Sequence, residues 1–305
     1  MTDTRRVQLV DAFTTEPMAG NPAGVVAEAE DLADDQMEAI ASELGASETA
    51  FVLASEAADR RLRYFTPERE VDLCGHATVA AFASLSERGE VANGVHSAET
   101  EAGTFDVEVE PDGTVWHTQS PPEIREVDVS IEEAADALGL DTPALSEVGE
   151  DLPIARASTG LPFLVVPVGY FEQLSAVDPD LAAIEKLCKL NGAEGLYAFT
   201  FDTLEGEATL HGRSFAPLAG IPEDPVTGTA SGAVGAYLRY QGALDAEDPL
   251  IFEQGHFLDR PGRVLVDTRE GEEGETAPRV GGRAVTTLDG DLTVPESDED
   301  DIIEA

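Results

Sequence analysis

Lysine is almost missing from this 305-residue chain. Lys186 and Lys189 are its only two; the other basic residues are arginines, and together they number 18 against 62 acids, for a formal net charge of −44. A generic nucleic-acid or anionic-membrane binder is excluded, because a phosphate backbone or acidic lipid surface would repel such a chain. With only Cys74 and Cys188, a disulfide-stapled secreted scaffold is excluded as well. The longest small-apolar run, Ala77 to Leu85, is far too short to span a bilayer. The N-terminal MTDTRRVQLV lacks the apolar region of a secretory signal, so a cytoplasmic location is expected.

Cofactor signals are also scarce. No G-x-G-x-x-G follows a strand, and no P-loop occurs. The histidines at 76, 96, 117, 211 and 256 show no metal-ligand spacing, and no metal is expected. A pyridoxal phosphate enzyme needs a Schiff-base lysine. Both lysines fall on the polar side of one expected helix, which removes that chemistry. What remains is cofactor-free acid–base work by carboxylates, histidine or cysteine.

What is present fits a soluble globular chain. Apolar residues make up 42%, enough for a sizeable core. The length suits one large domain or two of about 150 residues. The acidic, lysine-poor surface reads as halophilic, since salt screens self-repulsion with a Debye length of about 3 Å at 1 M and carboxylates keep the surface hydrated. The tail, 295–305, is acidic, but most of the charge belongs to the body.

Strands are expected at Val7 to Ala12, Thr49 to Leu53, Arg61 to Phe65 and Thr104 to Glu110, the last with Phe105, Val107 and Val109 on one face. Helical spacing of Met37, Ile40 and Leu44 predicts a helix over Asp34 to Leu44. Ser130 and Glu133 have capping-box spacing for a helix ending near Gly139. Gln119 to Val129, with two adjacent prolines, is the expected linker. Further on, strands are expected at Leu161 to Val168, Leu196 to Phe201, Ile251 to Glu253, Arg263 to Asp267 and Ala284 to Leu288. A helix capped by Asp178-Pro179 should run to Leu190, and Arg269 to Pro278 reads as an exposed loop.

The most informative feature is an internal repeat. Arg63-Tyr-Phe65-Thr-Pro67 returns as Arg213-Ser-Phe215-Ala-Pro217. Gly75-His-Ala77-Thr-Val-Ala80 returns as Gly228-Thr-Ala230-Ser-Gly-Ala233. Two ordered recurrences imply two homologous domains across a pseudo-twofold axis. Each motif reads as strand, glycine-bearing loop, then a helix of small residues that can sit deep in its domain. The first turn of such a helix leaves N–H groups and a positive dipole end, a ready anion site. Gly75, Gly228 and Thr229 are therefore candidate substrate-binding positions, expected to grip a small anionic metabolite in an interdomain cleft.

Candidate chemistry clusters at these motifs. His76 stands at the first helix start and can donate to, or accept from, a substrate oxygen. Asp224, before Thr227, can orient a partner or relay a proton; a loop-capping carboxylate is the alternative. Cys74 precedes Gly75, where a helix N-terminus depresses a thiol pKa, which makes it a possible second base. Its counterpart Thr227 carries no thiol. Glu48 introduces an apolar strand, and partial desolvation there suits a general base.

Asp72-Leu-Cys-Gly75-His76-Ala-Thr78, Glu223-Asp224-Pro225-Val-Thr-Gly228-Thr-Ala230, Gly20-Asn21-Pro22 and Ser47-Glu48-Thr49 together resemble the PhzF family, phenazine-biosynthesis-like isomerases of the diaminopimelate-epimerase superfamily. The resemblance extends to about Leu288. It implies an α+β fold of two similar domains, each a curved, barrel-like sheet around a central helix. The domains are then expected at 1–122 and 123–290, with a last strand, about 283–294, that can return to the first. Homodimers are common in the family. The resemblance makes Glu48 the acid/base of a cofactor-free proton shift, assisted by His76 and Asp224, and puts Asn21 among the substrate-binding residues. True epimerases of the superfamily use two cysteines, whereas only Cys74 is kept here. Isomerisation is the first expectation, a racemase or epimerase of an amino or hydroxy acid the second, and a non-catalytic anion-binding module the third.

Overall fold

Period-two and period-3.6 patterns in the sequence become strands and helices close to their expected bounds. The computed structural model describes residues 3–146, 148, 152–244, 248–269 and 277–297. The chain folds as two units, Met1–His117 with Gly282–Ala305, and Thr118–Gly281.

The first unit begins with β1 (Thr4–Ala12), β2 (Asn21–Val26), α1 (Asp34–Leu44), β3 (Glu48–Leu53), β4 (Arg60–Phe65), β5 (Glu70–Val71) and α2 (Gly75–Glu87). It continues with β6 (Gly94–Thr100), β7 (Gly103–Val109) and β8 (Val115–Thr118). The second unit holds β9 (Glu123–Glu126), α3 (Ile131–Leu138), α4 (Pro143–Ser146), β10 (Ala155–Ser158), β11 (Pro162–Pro167), α5 (Phe171–Ser175) and α6 (Leu181–Asn191). It ends with β12 (Gly195–Thr200), β13 (Leu210–Ala216), β14 (Ile221–Asp224), α7 (Gly228–Tyr240), β15 (Leu250–Gln254), β16 (Gly262–Asp267) and β17 (Arg279–Gly282). The final strand, β18 (Ala284–Thr293), runs antiparallel along β1.

The sequence repeat is a repeat of topology. In the first unit β1 pairs antiparallel with β2, β2 parallel with β3, β3 antiparallel with β4, β4 parallel with β6, and β6 antiparallel with β7. In the second, β10 to β11, β11 to β12, β12 to β13, β13 to β15 and β15 to β16 follow the same alternation. Each parallel step needs a crossover. Helices α1 and α6 supply the first crossover of each unit, α2 and α7 the second. The curved sheets and their helices give the expected α+β, diaminopimelate-epimerase-like fold.

Small residues explain why α2 and α7 lie inside. Ala77, Val79, Ala80, Ala81, Phe82 and Leu85 are fully buried on α2, and Ala230, Ala233, Val234, Tyr237 and Leu238 on α7. Burying a residue such as Phe82 or Leu85 contributes about 1.5–3 kcal/mol. Packing is close at Gly235, where a Cβ would stand 2.6 Å from Val266 Cγ1. Helices α1 and α6 instead each pack through one apolar face. Met37, Ile40 and Ala41 of α1 pack on Val26, Phe51 and Phe65. Ile184, Leu187 and Cys188 of α6 join Leu164, Leu196 and Phe215.

Two local expectations are corrected. The segment expected to be a linker contains β9, which pairs with β10. Beyond the double proline, which holds the chain extended, Glu-Ile-Arg-Glu completes a strand. The cap of α6 is Asp180, whose carboxylate accepts the N–H groups of Ala182 and Ala183 at 3.0 Å. Asp178 lies two residues earlier, outside the helix, and its N–H bonds the Leu138 carbonyl. The expected Arg269 to Pro278 loop and the acidic tail lie largely outside the described residues. Among the described residues, no helix is long and apolar enough to cross a membrane.

Candidate active site

In the first unit, β3 starts two residues after the Ala46 that follows the left-handed Gly45 (φ 68°) closing α1. Thr49 to Val52 are buried, while Glu48 sits at the strand mouth with its side chain 16% exposed. Cys74, in extended backbone, is the N-cap of α2 and offers no side-chain cap to the first turn. That turn is instead tied by Thr78, whose hydroxyl donates to the Cys74 carbonyl at 2.7 Å and meets the Tyr64 hydroxyl at 2.7 Å. Burial pushes the Tyr64 phenol well above its ordinary pKa, so it stays neutral.

Strand mouth and helix start bring three reactive groups together. His76 Nε2 lies 3.4 Å from Glu48 Oε2. Cys74 Sγ lies 3.4 Å from His76 Nδ1 and 3.9 Å from Nε2. Ser47 Oγ is 3.5 Å from Nε2. The Glu48–His76 contact has the length of an ion pair but not the geometry of a hydrogen bond. Glu48 Oε2 is buried and accepts no hydrogen bond among the described residues. A buried unsatisfied acceptor is unfavourable by about 1–3 kcal/mol, so this oxygen is poised for a proton or an incoming donor.

Asn21 opens β2 opposite Ala12 and is buried. It stands two residues before Ala23, the register partner of Glu48. The preceding turn holds positive φ at Phe13 (64°), Met18 (67°) and Gly20 (60°), and the Asp11 carboxylate accepts the Met18 N–H at 2.8 Å. Non-glycine residues in this region store about 1–3 kcal/mol each and concentrate at functional sites.

In the second unit the first turn of α7 carries Gly228 and Thr229, with Thr227 as N-cap. Thr227 Oγ1 donates to Asp224 Oδ2 at 2.5 Å. Gln254 Nε2 donates to the Asp224 carbonyl at 2.8 Å and to Thr227 Oγ1 at 3.2 Å. Ser231 repeats Thr78, donating to the Thr227 carbonyl at 2.7 Å. The structure therefore gathers Glu48, Cys74, Gly75 and His76 in one unit and Asp224, Gly228 and Thr229 in the other.

Sequence reading missed what holds these helix starts. Arg63 donates twice to Glu70, at 2.7 Å each, and once to Asp34. Arg213 donates twice to Glu223, at 2.9 and 2.8 Å, and also to the carbonyls of Leu174 and Val177. Each guanidinium lies over the ring two residues on, Phe65 at 5.1 Å and Phe215 at 5.3 Å. The bidentate pairs fix β5 and β14 just before α2 and α7. Their signal was available, since Glu70 and Glu223 recur with the same offset as the glycines.

The fold also brings together a set of side chains of metal-ligand type. Sequence spacing showed none, yet Glu48, Cys74 and His76 offer ligand atoms all within 4.8 Å of one another. They come from two elements that pattern matching along the chain does not connect. Cys188 is different: buried in the other unit, its thiol is pushed up to about 12 by desolvation and is inert.

Comparison with known proteins agrees with this architecture. Residues 10–290 match the family described as phenazine biosynthesis-like protein, PhzC-PhzF. An uncharacterized isomerase, YfhB of Bacillus subtilis, is 40% identical over 85% of this chain and 89% of its own. A crystal structure of a PhzF-family phenazine biosynthesis protein from Bacillus anthracis matches with TM-score 0.86 and 36% identity, covering 95% of this chain and 99% of that one. A hydroxyproline epimerase from Agrobacterium vitis shares the fold at TM-score 0.60 and 16% identity, covering 95% and 91% of the two chains. The repeated barrel-like units, the Gly75 and Gly228 helix starts and these matches lead to one conclusion: the chain belongs to the PhzC-PhzF family of phenazine biosynthesis-like proteins and is an isomerase of the PhzF type.

Proposed function

We propose that the protein catalyses a cofactor-independent proton shift on a small carboxylate-bearing metabolite, with Glu48 as general acid/base. The observation that carries this reading is the half-buried Glu48–His76 pair at 3.4 Å, with its unsatisfied carboxylate oxygen. In the proposal the substrate carboxylate rests on N–H groups of Gly75 and His76 at the α2 start, where the helix dipole favours an anion. Asn21 lies on the neighbouring strand as a further binding residue. Glu48 removes a proton from carbon and returns it elsewhere on the same face. His76 donates to the enolate-like oxygen that develops. General acid–base catalysis of this kind contributes about 10²–10⁴-fold. Gly228 and Thr229 are assigned the parallel anion-holding role at α7, and Asp224 is assigned a role in shuttling protons.

The test is solvent-deuterium incorporation from a metabolite mixture in heavy water at molar KCl, read by mass spectrometry. High salt serves the halophilic character proposed from the net charge of −44. Glu48→Gln should stop incorporation while the thermal melt is kept; incorporation at the wild-type rate in that variant overturns the assignment.

One observation favours a second reading. Cys74 Sγ lies 3.4 Å from His76 Nδ1 at a helix start, so a thiolate could act as second base in a racemase or epimerase. Product stereochemistry separates the two: inversion at one carbon supports the epimerase, and a moved double bond supports the isomerisation.

A further inference from the structure

We propose that Glu48, Cys74 and His76 form a binding site for one thiophilic divalent cation of the zinc type, and that its occupancy blocks proton transfer at Glu48. The blocking clause rests on the function proposed above; the binding clause does not.

The donor set is sulfur, nitrogen and oxygen, the set zinc takes in protein sites. Calcium and magnesium prefer oxygen throughout and do not suit it. The spacing also fits. Around a tetrahedral zinc, with metal–ligand lengths of about 2.0–2.3 Å, neighbouring donors stand about 3.3–3.6 Å apart. His76 Nε2 lies 3.4 Å from Glu48 Oε2 and 3.9 Å from Cys74 Sγ, and all three donors fall within 4.8 Å. The Glu48–His76 side already has that spacing; on the sulfur side, where Cys74 Sγ stands nearer Nδ1 (3.4 Å) than Nε2, the thiol must rotate toward the ion.

Charge and burial point the same way. The side chains of His76 and Glu48 are 11% and 16% exposed, and Cys74 is buried. A thiolate and a carboxylate together balance a dication, so the occupied site carries no net charge into a half-buried place. A bound dication draws the Cys74 thiol into the thiolate form that ligation requires. Thr78, bonded to the Cys74 carbonyl and to Tyr64, holds the Cys74–His76 turn in place before any ion arrives. Three protein ligands leave a fourth position for water or a substrate carboxylate. A cation seated there takes the Glu48 oxygen that would otherwise accept the substrate proton.

The second unit has no such set at the corresponding places, where Gly195, Thr227 and Thr229 stand. Occupancy is therefore expected at one ion per chain.

Cobalt(II) titration of the full-length chain tests the binding clause. The expected result is a thiolate-to-cobalt charge-transfer band that saturates at one ion per chain and is displaced by Zn²⁺. Only that band counts, because the acidic surface will collect cobalt without sulfur ligation. Cys188→Ala should keep the band and Cys74→Ala should lose it. Glu48→Gln should weaken binding by more than about 100-fold, since even outer partners of metal ligands are worth 10–100-fold. No band in the wild type, or a band surviving in folded Cys74→Ala, overturns the site. The wild-type band and its displacement by Zn²⁺ keep the test decisive if Cys74→Ala does not fold. Zn²⁺ at saturation should also stop deuterium incorporation. A saturated band with incorporation at the metal-free rate keeps the site and overturns the block. An absent band leaves the Glu48→Gln exchange test standing by itself.

Discussion

The two units share one scaffold and differ in chemistry at matching places. Both run the same strand order, both bury a helix of small residues, and both brace the entry to that helix with an arginine–glutamate pair. The first unit then sets Glu48, Cys74 and His76 where the second sets Gly195, Thr227 and Thr229. The second places Asp224 opposite Ser214, where the first pairs Val71 with Tyr64. Even the tyrosine behind the helix has moved. In the first unit Tyr64 on β4 faces Ala50 on β3; in the second Tyr197 on β12 faces Ser214 on β13. The new position needs Gly212, where a Cβ would stand 2.1 Å from the Tyr197 hydroxyl. Framework and chemistry are thus separable: both units keep the arginine–glutamate brace, while the residues at the helix mouth differ.

The largest expected effect breaks the comparison at its chemical end. Glu48→Gln should lower deuterium exchange by about 10²–10⁴-fold. Asp224→Asn should lower it less, because the Asp224 carboxylate is already committed to Thr227. Equal losses in the two variants would mean that the units contribute alike to catalysis.

Next come the braces. Glu223→Gln leaves Arg213, only 8% exposed, without its carboxylate and should destabilise by about 3 kcal/mol in urea unfolding. Glu70→Gln should cost about 1 kcal/mol, since Arg63 keeps Asp34 and its pair is wetter. A reversed order would refute the view that the second brace is the more deeply built.

Acid should find the second unit through His211 and His256. Their rings lie 4.8 Å apart, and desolvation holds both below the ordinary histidine value of 6.5, against the opposing pull of Glu253. His211 Nδ1 pairs with Glu253 Oε2 at 2.9 Å, and Glu253 also accepts the N–H groups of Leu204 and Glu205. A depressed folded pKa means the unfolded chain takes protons first. The stabilisation is complete above 6.5 and is lost as pH falls from there toward the folded values. Thermal melts between about pH 7.5 and about pH 5 should fall, and His256→Gln should flatten that fall.

The smallest effect sharpens the tyrosine exchange. Tyr64→Phe removes a 2.7 Å hydrogen bond to Thr78 and should cost about 1 kcal/mol. The Tyr197 hydroxyl lies against Ser231 without a close hydrogen bond, so Tyr197→Phe should leave the unfolding midpoint nearly unchanged. Matching losses would show that both phenols anchor their helices equally.

Much of this was legible in the sequence. The α1 bounds, the Ser130–Glu133 capping box and the strand cores follow from local periodicity, which a single face of a helix or strand imposes on its own residues. The repeat along the chain already carries the duplicated topology. Less legible were β9, hidden behind prolines, and Asp180, one of two aspartates flanking Pro179. The first was decided by β10, far away in sequence, and the second by which of two neighbouring carboxylates reaches the N–H groups of Ala182 and Ala183.

By itself, then, the chain's order of residues determined its elements, its twofold grammar, its acidic surface and the identity of its reactive groups. Tertiary structure alone decided that Glu48, on a strand, should lie 3.4 Å from His76, on a helix 28 positions further on. It also decided that each arginine of the repeat should meet its glutamate across a hairpin. The physical reason is range. Periodicity records which face of an element meets the core, whereas the meeting of two side chains depends on how separate elements pack.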